Sequence, residues 1–537
     1  MFLRSVHLRW SVIAAALVSA GLVSAQTLEL GRLSFPNSGK KEAQESFLRG
    51  VGALHSFWYE EAAEAFQEAQ RLDPDFALSY WGEAMSYNHP LWSEQDIASA
   101  RKVLSKLSPA RKDRLAKAPT PREKAYLEAV EILYGDGDKL SRDRAYSQAM
   151  ERLYRQFPED REAACFYSLS LLGTVRPGEK GFSRQMKSAA ILEKVFAQNP
   201  GHPGAAHYLI HSFDDPEHAP LGLPAADQYA EIAPSAHHAL HMPSHIFLQL
   251  GLWERVERSN QAAFQASAAW VGRRGLAPTK RDFHSLEWRQ YALFQLGRYR
   301  EARECIEPAR EVAEATGDAR VKSDFARLRA RQVIETRQWE KIPLPPPDAD
   351  GGGRYSSAGL LLAAGMSAAH LGDLATAEEV GSRFKTLREK NEAEAKTYDA
   401  KQMAIMEKEM AALVRLKRNE VDAAFGLLGE AVAIEESLDP PSGPANPLQP
   451  SHEIYGEALL EQGRPKEAAE QFEKALARMP NRSVSLLGLA RSAAKLGDLT
   501  TAQRRYEELL ANWRQADAEL PELAEVKGAR GTTDGSR

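Results

Sequence analysis

His207 and His211 stand four residues apart in "AHYLIH", and His241 and His245 repeat that spacing in "HMPSH". On a helix, residues four apart share a face about one turn apart, so each pair can offer two imidazole nitrogens to one cation. Eight of the 14 histidines fall between His202 and His245, far more than an even spread would leave. Imidazole donors without thiolates suit zinc, copper, iron or nickel. No Glu directly follows the first histidine of either pair, which disfavours metalloprotease chemistry of the zincin type. Ser244 lies beside His245 but in no GxSxG elbow, and no Walker A or dinucleotide fingerprint is present.

Between the pairs runs "SFDDPEHAPLG", residues 212 to 222, which carries Asp214, Asp215 and His218. Loops on a rigid scaffold are common carriers of function. Pro243 sits between His241 and His245. Either it kinks a helix that begins near Ala236, at about 3 kcal/mol, or it opens a new helix, where its missing N–H costs nothing. The kinked helix is the favoured expectation, because the other reading leaves a short first helix. His237 and His238 are adjacent and cannot both share the face of His241, so one of them is expected to be solvated. His55, His202 and His370 are expected to be structural.

The elements that position these residues show a repeat. "YGEALLEQGRPKEAAEQFEKALARMPN", from Tyr455, is followed by "LLGLARSAAKLGDLTTAQRRYEELLAN", and the turn glycines Gly463 and Gly497 lie 34 positions apart. Ala468, Phe472, Ala475 and Pro480 occupy the small, aromatic, small and terminating positions of a second helix. Weaker copies start at Tyr59, Ala145, Leu223, Leu293 and Ala368. This pattern resembles the tetratricopeptide-repeat (TPR) family, strongly at the C-terminus and irregularly before it.

The resemblance implies an all-α solenoid of helical hairpins whose concave groove takes a peptide or protein partner, or a small ligand. Counting back six and ten positions from turn glycine Gly251 gives His245 and His241; the same offsets from Gly297 give Tyr291 and Glu287, with His284 three before. All five are thereby expected on groove-lining first helices. His89, in "YNHPLW", and His452, in "PSHEIYG", are more distant candidates.

Arg4, Arg9, the apolar run Ser11 to Val23 and the small residues of Val23-Ser24-Ala25 read as a signal peptide over residues 1–25. No later segment is apolar enough to span a membrane, so the mature chain is expected in the periplasm or outside the cell. An N-terminal array is expected over 26–340, a linker, "KIPLPPPDADGGGRY", over 341–355, a C-terminal array over 356–520 and a disordered tail over 521–537. A second break, "DPPSGPANPLQP", runs from Asp439 to Pro450, and strand signals are absent. The net charge of -5 with interspersed signs gives no footprint for nucleic acid. Three functions fit: a binding protein with a His-lined metal site, a metal-dependent enzyme on the same groove, or a metal-free adaptor of the cell envelope.

Overall fold

The computed structural model describes residues 28–346 and 358–531. The expected signal peptide and most of the 341–355 linker lie outside them. The described chain is a succession of antiparallel helical hairpins, from Gln44–His55 with Tyr59–Leu72 to Ser483–Lys495 with Leu499–Asn512. Among the described residues the only strand pairing is a two-residue ladder, Asn88 with Gln95 and His89 with Glu94. Leu523–Gly531, expected within a disordered tail, is a helix whose Val526 is fully buried.

Local chemistry explains the hairpins. Gly251, Gly297, Gly463 and Gly497 take φ of 66° to 80°, the left-handed turn that a Cβ would oppose. After Gly497 the second helix starts at a side-chain cap, where Asp498 accepts from the N–H of Thr501. Close crossing needs small residues. The ring of Phe472 packs against both Gly456 and Gly488, where any added Cβ would overlap it, and Phe66 packs in the same way against Gly50 and Gly82.

The solenoid closes on itself. Its first hydrophobic core runs from Leu30 to Leu296 and also takes in Ala445 and Met479 from the C-terminal half. Asn481 Nδ2 donates to the Gly251 carbonyl (2.8 Å), Ser483 Oγ to the Gln295 carbonyl (2.6 Å), and the Asp517 N–H to the Gly297 carbonyl (3.0 Å). The helix Ala319–Thr336 joins the two halves: Val321 and Leu328 pack in the core of the preceding hairpin, while Ala330, Val333 and Ile334 pack in the C-terminal core. The groove expected to be open is thus partly filled by the chain itself. The Pro-rich break at 439–450 lies across it, with Gly443 pressed so closely on Trp288 that a Cβ would stand 2.8 Å from the indole.

Candidate metal centre

Three neighbouring segments carry the histidines. Pro203–Ser212 is capped by His202, whose Nδ1 accepts from the N–H of Ala205. His237–His241 and Pro243–Gln249 are separate short helices, and Pro243 starts the second. The kinked single helix is therefore not what forms. Met242 between them remains right-handed and donates to the His238 carbonyl, so His241 and His245 still present neighbouring faces. Phe283–Gln295, capped by Asp282, supplies His284.

These segments assemble two histidine triads, His207 with His211 and His238, and His241 with His245 and His284; within each, one nitrogen per ring lies within 4.8 Å of the others. The triads abut: the His211 and His245 ring centres are 5.6 Å apart, against 4.9 Å for His207 and His211 and 5.0 Å for His241 and His245 inside them.

Hydrogen bonding fixes the tautomers. His207 Nδ1 donates to the His55 carbonyl (2.6 Å), His241 Nδ1 to Asn260 Oδ1 (2.6 Å) and His245 Nδ1 to Asp214 Oδ2 (2.6 Å). Asn260 is oriented for this because its Nδ2 donates to the Val256 carbonyl. With the bonded hydrogen on Nδ1, Nε2 is the atom of each ring left to carry a lone pair. His241 Nε2 and His245 Nε2 then face each other at 3.2 Å, as do His207 Nε2 and His211 Nε2. Between His241 and His245 an added proton is disfavoured, whereas His211 is free to donate from Nε2 to His207. Burial pushes His207 down to about 3, and burial with neighbouring imidazoles holds His211, His238 and His241 well below the ordinary imidazole value. Two metal–nitrogen bonds of about 2.0 Å at a tetrahedral angle place their nitrogens about 3.3 Å apart.

Aromatic rings wall the centre. Phe57 lies against His207, His211 and His238, with ring centres 4.3, 5.9 and 5.5 Å away. Trp288 lies 4.4 Å from His245 and 4.9 Å from His241. His207 and His241 are fully buried, whereas His284 is exposed and lines a cavity of about 470 Å³ shared with Trp288, Gln402 and Met403.

The four principal histidines and His284, named from the sequence, come together in the structure, and Asp214, expected only at the groove edge, is the partner of His245. Sequence reasoning missed His238, whose buried Nε2 has no hydrogen-bond partner, and Asn260. Neither His237 nor His238 is freely solvated: His237 Nδ1 stands 3.6 Å from Asp282, with its side chain 21% exposed. Of the remaining accessory candidates, only Glu287 shares the cavity beside His284. Asp215 accepts from the N–H groups of Glu217 and His218 and from the His218 ring. Glu287 pairs with Arg327 (2.7 Å), and the Tyr291 hydroxyl accepts from buried Arg482 (3.1 Å). His89 stacks on Tyr59, separated from His238 by Trp92. His452 Nδ1 contacts Gln471 in the C-terminal half.

A third group, His55, Glu162 and His202, is buried but committed: Glu162 accepts from both imidazoles, His55 Nδ1 pairs with the Tyr208 hydroxyl, and His202 Nδ1 caps its helix. It leaves no convergent lone pairs.

Residues 459–520 match the Tetratricopeptide repeat family. No curated protein matches the sequence. Among solved structures, yeast Tom70 is similar at 13% identity over 93% of this chain and 97% of that one, with a TM-score of 0.28. A human IFIT1 dimer with m7Gppp-AAAA is similar at 13% over 89% and 91%, with a TM-score of 0.32. The Cut9–Hcn1 hetero-tetramer of the APC/C is similar at 11% over 91% and 97%, with a TM-score of 0.31. Among the described residues, no helix is long and apolar enough to cross a membrane.

Proposed function

We propose that this protein is an exported, metal-dependent enzyme built on a TPR-like solenoid, with one transition-metal ion in each histidine triad. The observation that carries the reading is the approach of His241 Nε2 and His245 Nε2 to 3.2 Å, in rings whose Nδ1 hydrogens are both committed, beside a second triad in which His207 and His211 approach equally closely. Neutral lone pairs at that distance repel unless a cation lies between them, and burial opposes a proton as that cation. Three protein ligands per ion leave a coordination position for water or substrate, the arrangement of catalytic rather than structural sites. The cavity at His284 supplies an approach to it. Zinc, copper, iron and nickel all accept imidazole. Export rests on the charged, apolar and small-residue sequence of the first 25 residues.

A metal-bearing binding protein shares this centre but needs no turnover. A metal-free adaptor leaves the convergent lone pairs without a partner and has the partly filled groove against it. The test is elemental analysis of the untagged mature protein beside a His207→Ala, His245→Ala double variant. Near-stoichiometric metal that the variant loses supports the centre. Absence of metal after reconstitution with each of the four candidates overturns it.

A further inference from the structure

The donor set narrows the metal and the chemistry. Each triad consists of imidazoles alone, and both cysteines are buried elsewhere. Asp214, the carboxylate nearest to them, is held on His245 Nδ1 and positions that ring rather than facing its Nε2. Asp282 caps the helix Phe283–Gln295 and faces His237. Paired iron or manganese ions in helical proteins are held with glutamates, whose negative charge offsets two adjacent dications. Here nothing among the donors supplies that charge. A pair of divalent ions would repel strongly within a wall of Phe57 and Trp288 rings, because electrostatic energy rises as the local dielectric falls. Monovalent copper lowers the charge product of the pair fourfold relative to two dications, accepts imidazole and tolerates three ligands.

The second observation is adjacency. His211 and His245 belong to different triads, yet their ring centres are 5.6 Å apart, and those of His238 and His241 are 5.8 Å apart. Two ions held by these rings would be neighbours across the His211–His245 and His238–His241 contacts.

We propose, resting on the metal-centre reading above, that the two triads form a single binuclear copper site that takes up dioxygen. In this step each Cu(I) gives up one electron and becomes Cu(II). Dioxygen accepts both electrons and is reduced to peroxide, its O–O bond order falling from two to one. No proton is required and no other bond breaks. The positive charge gained by the coppers is matched by the dianion formed between them, which supplies the negative charge the donor set lacks. The cavity beside His284 and Trp288 provides the route for the gas. The aromatic wall on the Phe57 side keeps bulk water from the reduced ions.

The test loads the full mature chain with Cu(I) without oxygen and then admits oxygen. The proposal expects about two copper equivalents, one dioxygen consumed per copper pair, an intense near-ultraviolet absorption, and no electron-paramagnetic-resonance signal because the two Cu(II) spins are coupled. His284→Ala, at the exposed edge, and His238→Ala, in the other triad, should each abolish oxygen uptake and leave copper with an isolated Cu(II) signal on oxidation. Circular dichroism confirms that each variant is folded. If the wild type binds about two zinc ions but its copper form takes up no oxygen, or shows isolated Cu(II) signals, this inference fails and the metal centre stands. If no metal binds, both fail.

Discussion

The carboxylate of Asp214 does for His245 what the backbone carbonyl of His55 does for His207: each takes the Nδ1 hydrogen and leaves Nε2 as the outward-facing nitrogen. Asp214→Ala therefore loosens one ring without removing a ligand. Affinity at the His241, His245 and His284 triad should fall about 10- to 100-fold, measured by competition with a chromophoric chelator, while the other triad is unchanged. Equal affinity in the variant would remove His245 from the ligand set. The histidine pairs were legible because i,i+4 spacing keeps two side chains on one side of the chain, within the helix Pro203–Ser212 for His207 and His211 and across right-handed Met242 for His241 and His245. His238 and Asn260 were not, because they come from packing between helices: His238 turns from the His241 face toward His207, with ring centres 5.1 Å apart. A second residue of interest is Glu409, fully buried, with Oε1 accepting from Ser451 (2.8 Å) and Oε2 unpartnered. Burial, with repulsion from Glu435, raises its pKa well above the ordinary value of 4.5. The unfolded chain ionises above that value while the folded carboxyl stays protonated, so this contribution is full below about pH 4.5 and is lost as pH rises through the folded value. Glu409→Gln should gain stability over wild type with rising pH, by up to about 1.4 kcal/mol per unit in that window, read from urea unfolding at several pH values. A pH-independent difference would contradict the neutral acid.

At the scale of elements, the tightest constraint is the contact of Phe472 with Gly456 and Gly488. Gly488→Ala places a methyl group into that ring, and overpacking of this kind costs about 1–3 kcal/mol. Thermal unfolding should fall accordingly. At Gly426, where a Cβ meets nothing within 4 Å, alanine should leave it unchanged or raise it. The hairpins of this region were readable because turn glycine, small residue and aromatic recur at a fixed period. Pro243 was harder. Both of its readings satisfy the backbone chemistry, and tertiary packing of Pro243–Gln249 against Ala219–Ile232 and Trp253–Arg273 accompanies the one that forms. The strap at 439–450 looked like a spacer because proline and glycine report only what the chain does not do. Its contact with Trp288 depends on where distant hairpins bring it.

Across the whole molecule, closure is anchored at Arg482. This guanidinium is 1% exposed and bonds Glu335 (2.9 Å), Glu453 (2.7 Å) and the Tyr291 hydroxyl, linking three hairpins. Arg482→Met strands two buried carboxylates, and breaking a buried pair in this way costs about 3–5 kcal/mol. The variant should unfold at lower urea concentration, and the C-terminal half should become more open to proteolysis. Unchanged stability would show that the halves do not depend on this contact. Closure was not legible, because Asn481, Arg482 and Ser483 look like ordinary turn residues until the first half curves round to meet them. That is why Tyr291, read as a groove residue, is instead part of the seam. The central claim is that the two triads hold metal. Its most direct test is anomalous diffraction from crystals of the untagged protein, recorded on both sides of the absorption edge of the metal found. The account predicts two neighbouring peaks, one among the Nε2 atoms of His207 and His211 with His238, the other beside those of His241 and His245 with His284; peaks elsewhere, or none in metal-soaked crystals, would contradict it.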